Sequence, residues 1–323
     1  MAKVVKTISF SVIIPTYNRV ELLKRCFNSV ATCRFDDIEI LVSDNASSDK
    51  THEFLFSLQD SRVRYWTQLE NMGPCKNISF LFHRARGNWI ICLSDDDYLL
   101  PNAIERIKEV VEHYTNVGVL LSRLKIENPE GVCLPDYVFF DQTRLFKSGM
   151  ESLSHLFWAT HVFSGITVRR DWLDLDGMDR HLEGMYPQML MVGVILKDHP
   201  GIYLDENLVV HTIGNPTFWG YTRDFMVGKR LDMIRDMLPG ERWKKEREVL
   251  IDQIVDEAFQ HHMPLLWSTS KIEAFLYQAS IIRNLEIVLS QKYWWNLLRF
   301  LKACGRSFLS RVKSFLKRCV FLF

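Results

Sequence analysis

Cys92-Leu93-Ser94-Asp95-Asp96-Asp97 is the stretch on which the reading of this chain turns: a short apolar run that stops abruptly in three consecutive carboxylates. Adjacent like charges repel, so a cluster of them at a strand end suits a site that holds something positive. Hard divalent cations such as Mg2+ or Mn2+ are the usual occupant, because they prefer oxygen ligands and bridge carboxylates to phosphates. Taken alone, the triplet reads equally well as the acidic approach to a helix opened by Pro101, where negative charge is favoured. The flanking sequence decides between these readings.

Working outward, Gly87 ends a helix that runs through Phe80, Leu81 and Ala85, and residues 89–93 form the strand leading into the carboxylates. Upstream, Phe10, Val12, Ile13 and Ile14 mark a buried strand over 9–15, and Val20, Leu23, Phe27 and Val30 recur at helical spacing over 19–31. A second strand over 38–43 runs into Asp44-Asn45-Ala46-Ser47-Ser48-Asp49, where Ser47 or Ser48 is placed to cap the next helix. A third strand spans 63–66, the turn Asn71-Met72-Gly73-Pro74 follows, and a fifth strand is expected over 117–121. Strands alternating with helices at these intervals predict a mainly parallel α/β sheet covered on both faces. In such sheets ligands bind beyond the carboxyl ends of the strands. Three of those ends carry Thr16-Tyr17-Asn18-Arg19, Asp44-Asn45 and Asp95-Asp96-Asp97.

The composition, 47% hydrophobic and 24% charged over 323 residues, is that of a folded protein with room for one large domain and an appendage. A formal charge of +1 argues against general nucleic-acid binding. That total hides an asymmetry: no acidic residue follows Glu286, while eight Lys and Arg residues do, leaving about −7 for the rest. The seven cysteines show no zinc-type spacing and fit a reducing compartment. The short amino-terminal lead predicts no signal peptide, and no run reaches the roughly 18 apolar residues needed to span a bilayer.

Four ordered blocks carry a resemblance to a known family. They are Val12-Ile13-Ile14-Pro15-Thr16-Tyr17-Asn18-Arg19; Val42-Ser43-Asp44-Asn45-Ala46-Ser47-Ser48-Asp49; Glu70-Asn71-Met72-Gly73 with Asn77; and Gly87-Asn88-Trp89-Ile90 running into Leu93-Ser94-Asp95-Asp96-Asp97-Tyr98-Leu99-Leu100-Pro101. Over about the first 120 residues the chain resembles the family 2 glycosyltransferases of the GT-A fold, particularly bacterial enzymes that build O-antigen and other surface polysaccharides. The resemblance implies a GT-A, Rossmann-like sheet in a domain over 1–221. Its nucleotide-binding half would be about 1–124 and its acceptor half about 125–221, followed by a helical region over 222–289. It implies that Pro15, Thr16, Asn18, Arg19 and Asn71 line a nucleotide-sugar pocket, that Asp44 accepts a hydrogen bond from the base, and that Asp95 lies near the ribose. Asp96, with Asp97 beside it, would ligate Mn2+ or Mg2+. The family's usual acidic pair has its first aspartate where this chain has Ser94, so ligation falls to Asp96 and its neighbours.

The implied reaction is a single displacement with inversion, assisted by one carboxylate base. In place of the family's usual Glu-Asp, this chain reads Asp176-Gly177-Met178-Asp179-Arg180-His181-Leu182-Glu183. Glu183 is the first candidate base, Asp179 the second and His181 the third, with solvated loop charges as the plain alternative. His211 could face the pyrophosphate, and Asp205, Trp219 and Tyr221 could contribute to an acceptor cleft. The expected acceptor is a glycan carried on a polyprenyl diphosphate.

The tail is read from its own residues. Leu298, Leu301, Phe308, Val312, Phe315, Cys319 and Leu322 fall in threes and fours, with Lys302, Arg306, Lys313 and Lys317 on another side. A cationic amphipathic helix over 290–323 suits an anionic membrane surface and predicts a peripheral protein on the inner face of the plasma membrane. A partner helix could use the same face. Two other functions are alternatives: a nucleotidyltransferase, which would normally show a Gly-rich phosphate loop that Pro15-Thr16-Tyr17-Asn18 lacks, and a non-catalytic sugar-nucleotide or glycan-binding scaffold.

Overall fold

Phe10–Thr16 (β1) is apolar on both faces, as a strand enclosed by helix layers must be, and it pairs in parallel with Ile38–Asp44 (β2) and Trp89–Cys92 (β4). This computed structural model describes residues 8–182, 186–214 and 230–257. The chain divides into two units, Met1–Trp219 and Gly220–Phe323.

In the first unit, β2 also pairs in parallel with Val63–Thr67 (β3). Tyr98–Leu99 (β5), Val119–Glu127 (β6), Cys133–Tyr137 (β7), Arg144–Phe146 (β8), Thr167–Arg169 (β9) and Gly201–Thr212 (β10) complete a sheet of ten strands. The order along its main path is β3-β2-β1-β4-β9-β6-β10-β5, with β7 on β6 and β8 on β10. The nucleotide half is parallel as expected; β9 then enters antiparallel between β4 and β6, which makes the whole sheet mixed.

Pro15 sits inside β1 without loss. Leu93 N donates to Ile13 O, so Pro15, two residues on, faces the same side, where pairing with β4 has already ended at Cys92. Gly87 admits β1 against the turn into β4: a Cβ there would lie 2.5 Å from Ser11 N.

Helices Val20–Ala31 (α1), Thr51–Phe56 (α2), Pro74–Arg84 (α3) and Ala103–His113 (α4) supply the crossovers. Leu23, Cys26, Phe27 and Val30 of α1 and Ile104, Ile107 and Val110 of α4 are buried in one cluster with Val12, Ile14, Val42 and Ile91. In the second half of the unit follow Met150–Leu156 (α5), Leu175–Asp179 (α6) and Pro187–Asp198 (α7), the last almost wholly buried.

Three local expectations are corrected. Neither Ser47 nor Ser48 caps α2; Asp49 Oδ1 receives Thr51 N at 3.0 Å, while Ser47 Oγ receives Asn18 N at 2.8 Å across the loop. The acidic triplet opens no helix, because the short strand β5 follows it and α4 begins only at Ala103, after Asn102 in a left-handed conformation (φ 62°). The fifth expected strand is longer than read, since Arg123 and Lys125 interrupt the apolar run of β6 without ending the strand.

In the second unit the described helices are Arg230–Met237 (α8) and Lys244–Glu257 (α9), and Arg247 Nη1 closes the link between them by donating to Leu238 O and Gly240 O, both at 2.6 Å. Among the described residues no helix is long and apolar enough to cross a membrane. The basic tail over 290–323, Trp219 and Tyr221 lie outside the described residues.

Candidate active site

The sheet changes direction of winding at β1, whose neighbours β2 and β4 come from opposite sides, and this opens a crevice at their carboxyl ends. Asp44 ends β2 and is fully buried. Its Oδ1 accepts Ser47 N at 2.9 Å, and its Oδ2 is buried with no hydrogen-bond partner. A buried acceptor left open is costly, and a site that receives an N–H from a ligand is the usual reason for keeping one.

The loops after β1 and β2 are laced together. Asn18 Oδ1 receives Ser48 N at 2.7 Å, and Asn45 Nδ2 donates to Asn71 Oδ1 at 2.8 Å. Asn71 Oδ1 also takes Gly73 N at 2.9 Å, which brings the turn before α3 to the same edge. Asn18 (φ 53°) and Ala46 (φ 62°) both hold left-handed backbone. Asparagine tolerates that conformation, whereas alanine pays about 1 kcal/mol for it. Such strain clusters at binding sites.

The three aspartates face three different surroundings. Asp95 is buried, accepting Thr16 Oγ1 at 2.7 Å and Arg19 Nη1 at 3.2 Å. Burial and then the adjacent Asp96 charge push its carboxyl up to about 7, against the opposing pull of Arg19 and Thr16. Asp96 is the more open, accepting Arg19 Nη1 at 2.9 Å and the Ser94 hydroxyl at 2.6 Å. Asp97 is turned into the protein, where it accepts Thr212 N at 2.8 Å and meets His211 Nδ1 at 3.0 Å. Burial drives the Asp97 carboxyl up, with His211 pulling the other way. For His211 burial opposes the charged form, but the Asp97 hydrogen bond and the charges of Asp97 and Asp96 outweigh it and raise its pKa.

This corrects the expectation that Asp97 shares a metal with Asp96: both its oxygens are engaged by β10. It also gives His211 a partner other than a ligand. Among the described residues no group of three or more His, Cys, Asp or Glu side chains is arranged to hold a metal ion. The donor set is one accessible carboxylate, Asp96, beside a hydroxyl and a second carboxylate. That suits a hard cation taking most of its oxygens from a diphosphate and water, as Mg2+ commonly does, and does not suit an all-protein cage.

Asp179 is not brought to this edge. It accepts Ser79 Oγ at 2.6 Å and meets His83 Nε2 at 3.0 Å on α3. His83 lies in the last turn of that helix, whose exit loop packs at Gly87 against the start of β1. Both Asp179 oxygens are thus taken up by α3, and its partners are Ser79 and His83 rather than any residue of the carboxylate turn. His181 follows α6, its N–H donating to Met178 O at 2.9 Å. Asp205 is engaged by Arg123. Glu183 lies outside the described residues.

Several groups around the triplet escaped the sequence reading. Arg25 Nη2 donates to Asp96 O, and Tyr98, Glu127 and Thr212 join it from β5, β6 and β10. With Arg25 and Glu127 102 positions apart, no local pattern signals the pair.

Residues 11–174 match the profile of Glycosyl transferase family 2, about half of the chain, and the protein belongs to that family. Over 111 residues it is 38% identical to the GalNAc(5)-diNAcBac-PP-undecaprenol beta-1,3-glucosyltransferase of Campylobacter jejuni, a stretch covering 33% of this chain and 36% of that enzyme. This chain thus spans about a third of that relative. A longer match, 25% identical over 225 residues, joins it to the abequosyltransferase RfbV of Salmonella typhimurium and covers 64% of this chain and 67% of that one. Among solved structures, Staphylococcus aureus TarS 1-349 in complex with UDP-GlcNAc aligns with TM-score 0.63 at 17% identity, over 92% of this chain and 82% of that one. The mannosyltransferase PcManGT from Pyrobaculum calidifontis, in complex with GDP-Man and Mn2+, aligns with TM-score 0.51 at 13% identity, over 93% and 86%. These structures share the GT-A architecture with this chain.

Proposed function

We propose that the protein transfers one sugar from a nucleotide-sugar donor to a glycan acceptor during assembly of a bacterial surface polysaccharide. The observation that carries this reading is the pair of contrasting carboxylates at one crevice: Asp44, buried with an open acceptor, and Asp96, accessible beside Ser94. An open buried acceptor suits a base N–H, and an accessible carboxylate at the next strand ends suits the phosphate side. The named chemistry of the relatives agrees with a nucleotide-sugar donor, and the Campylobacter relative's undecaprenol-linked substrate supports a lipid-linked acceptor.

Asp44 and the Asn18–Asn71 loops bind and orient the nucleotide. Asp96 would hold a divalent cation, Mn2+ or Mg2+, and that cation would supply Lewis-acid neutralisation of the diphosphate charge. The acceptor hydroxyl attacks the anomeric carbon from the face opposite the diphosphate, so configuration inverts. Its proton passes to a carboxylate base, for which Glu183 is the candidate left once Asp179 is set aside. Arg19, already drawn between Asp95 and Asp96, stands where it can add positive charge to the departing diphosphate. The basic tail over 290–323 would hold the protein at an anionic membrane surface on the cytoplasmic side, next to a lipid-borne acceptor.

Titration calorimetry with UDP, GDP, CDP and dTDP, each with and without Mn2+, tests the reading. One of them should bind more tightly with the cation; binding of none, or binding indifferent to Mn2+, overturns the metal-dependent mechanism.

A further inference from the structure

We propose that Arg25 is a positioning residue: its guanidinium clamps the main chain of the metal-bearing turn to the acceptor-side strands, and so sets the direction of Asp96. The inference rests on the reading of Asp96 as the cation ligand. Arg25 projects from α1, where its neighbours Leu23, Cys26 and Phe27 are buried in the core and fix the helix. Its Nη2 donates to Asp96 O at 2.6 Å and to Thr212 Oγ1 at 2.8 Å, and its Nη1 donates to Glu127 Oε1 at 2.8 Å. Its Nε is buried with no partner, so the contacts are all made by the two terminal nitrogens.

The acceptors are themselves held. Glu127 Oε2 receives Tyr98 OH at 2.8 Å, and the Tyr98 ring lies under the guanidinium, 4.7 Å from its centre. Thr212 pairs with Glu127 across the β6–β10 ladder and sends its N–H to Asp97 Oδ1. One planar group therefore ties together α1, the turn after β4, β5, β6 and β10.

The need for such a clamp follows from topology. The turn over Ser94–Asp97 leaves the sheet after β4, whose antiparallel neighbour β9 separates it from β6 and β10. The β5–β10 ladder ties the chain to β10 only from Tyr98 onward, so the carbonyl of Asp96, which precedes that ladder, is held by the Arg25 side chain. Ser94 and Arg19 hold the carboxylate of Asp96, and Arg25 holds its carbonyl. Fixing both ends of one residue leaves little freedom to rotate. Partners that orient a metal ligand typically govern metal affinity by 10- to 100-fold. Arginine is required because its two terminal nitrogens reach three acceptors on separate elements, and the single nitrogen of a lysine cannot reach all three at once.

The test is Arg25→Lys, which keeps a positive charge beside Glu127 and loses the fork. Mn2+-dependent binding of UDP, GDP, CDP or dTDP, whichever the wild type accepts, should weaken about tenfold or more while the melting temperature stays near wild type. In the nucleotide-free protein, amide exchange at Asp97, Tyr98 and Thr212 should accelerate. A second variant, Arg25→Met with Glu127→Met, replaces the partly buried ion pair with apolar bulk and leaves neither charge unpaired. It should be stable yet remain weak for the cation. Wild-type Mn2+ affinity in either folded variant overturns the proposal. If the wild type itself shows no Mn2+-dependent binding, the reading of Asp96 fails, and the exchange rates alone then decide the clamp: unchanged rates refute it, and faster rates uphold it.

Discussion

Replacing Asp95 with asparagine should make the metal-free protein relatively more stable as pH rises. Burial first and the neighbouring Asp96 second push the Asp95 carboxyl up to about 7 in the folded chain, against an ordinary value of 3.8. Below pH 4 both folded and unfolded chains carry the neutral acid, and the group costs nothing. Between about 4 and about 7 the unfolded chain is ionised and the folded chain is protonated, so folding takes up a proton and stability falls with rising pH. Above about 7 the full cost is present. The interval corresponds to roughly 4 kcal/mol at most. Asparagine cannot ionise, and its own cost, including an amide turned toward Arg19, does not change with pH. Asp97 and His211 titrate in both proteins and cancel in the difference. Urea unfolding in EDTA from pH 4.5 to 8.5, wild type against Asp95→Asn, measures it. The variant should gain on the wild type by a few kcal/mol across that range. A difference that is flat with pH, or that moves against the variant, would refute the argument that Asp95 is held by burial against its charge.

The other predictions concern the reaction and its location. Asp96→Ala should abolish turnover and Mn2+-dependent nucleotide binding while leaving the melting temperature within a few degrees of wild type, since the side chain lies at the crevice and outside the core; undiminished transfer of sugar would show that the cation is held elsewhere. Glu183→Gln should lower kcat by a hundredfold or more with donor affinity retained, in the range a general base contributes. Asp179→Asn, which alters the contact with Ser79 and His83, should leave kcat near wild type; the reverse pattern would reinstate Asp179 as the base. Removing residues after Trp295 should end co-sedimentation with vesicles rich in anionic lipid, and high salt should weaken binding of the full chain. Continued sedimentation of the shortened chain would refute the anchor.

Much of the nucleotide half was legible without a structure, because each of its signals is local. Apolar runs of four to seven residues, closed by polar loops and separated by helical periodicity, lead directly to β1, β2, β3 and β4. Parallel pairing follows from the crossovers, and the crevice follows from parallel pairing. Asp44, Asn18 and the triplet could be placed at one edge by that chain of reasoning alone. The acceptor half resisted it. The helix α6 is five residues long, and β9 has three residues and owes its place to two neighbours distant in sequence. Asp179 read as a base because it stands in the right segment; in the fold its carboxylate is taken up by Ser79 and His83 because α6 packs on α3.

What the sequence by itself determined is that three carboxylates end a strand beside two other polar strand ends, since alternation of strand and helix admits one handed arrangement. What only the tertiary structure decided is how those carboxylates differ. Asp95 is buried under Thr16 and Arg19, Asp96 is left accessible beside Ser94, and Asp97 is drawn inward by His211 and Thr212. Their partners come from residues up to 115 positions away. The protonation and reach of a carboxylate are set by the charges and donors packed around it, and no local pattern carries that information.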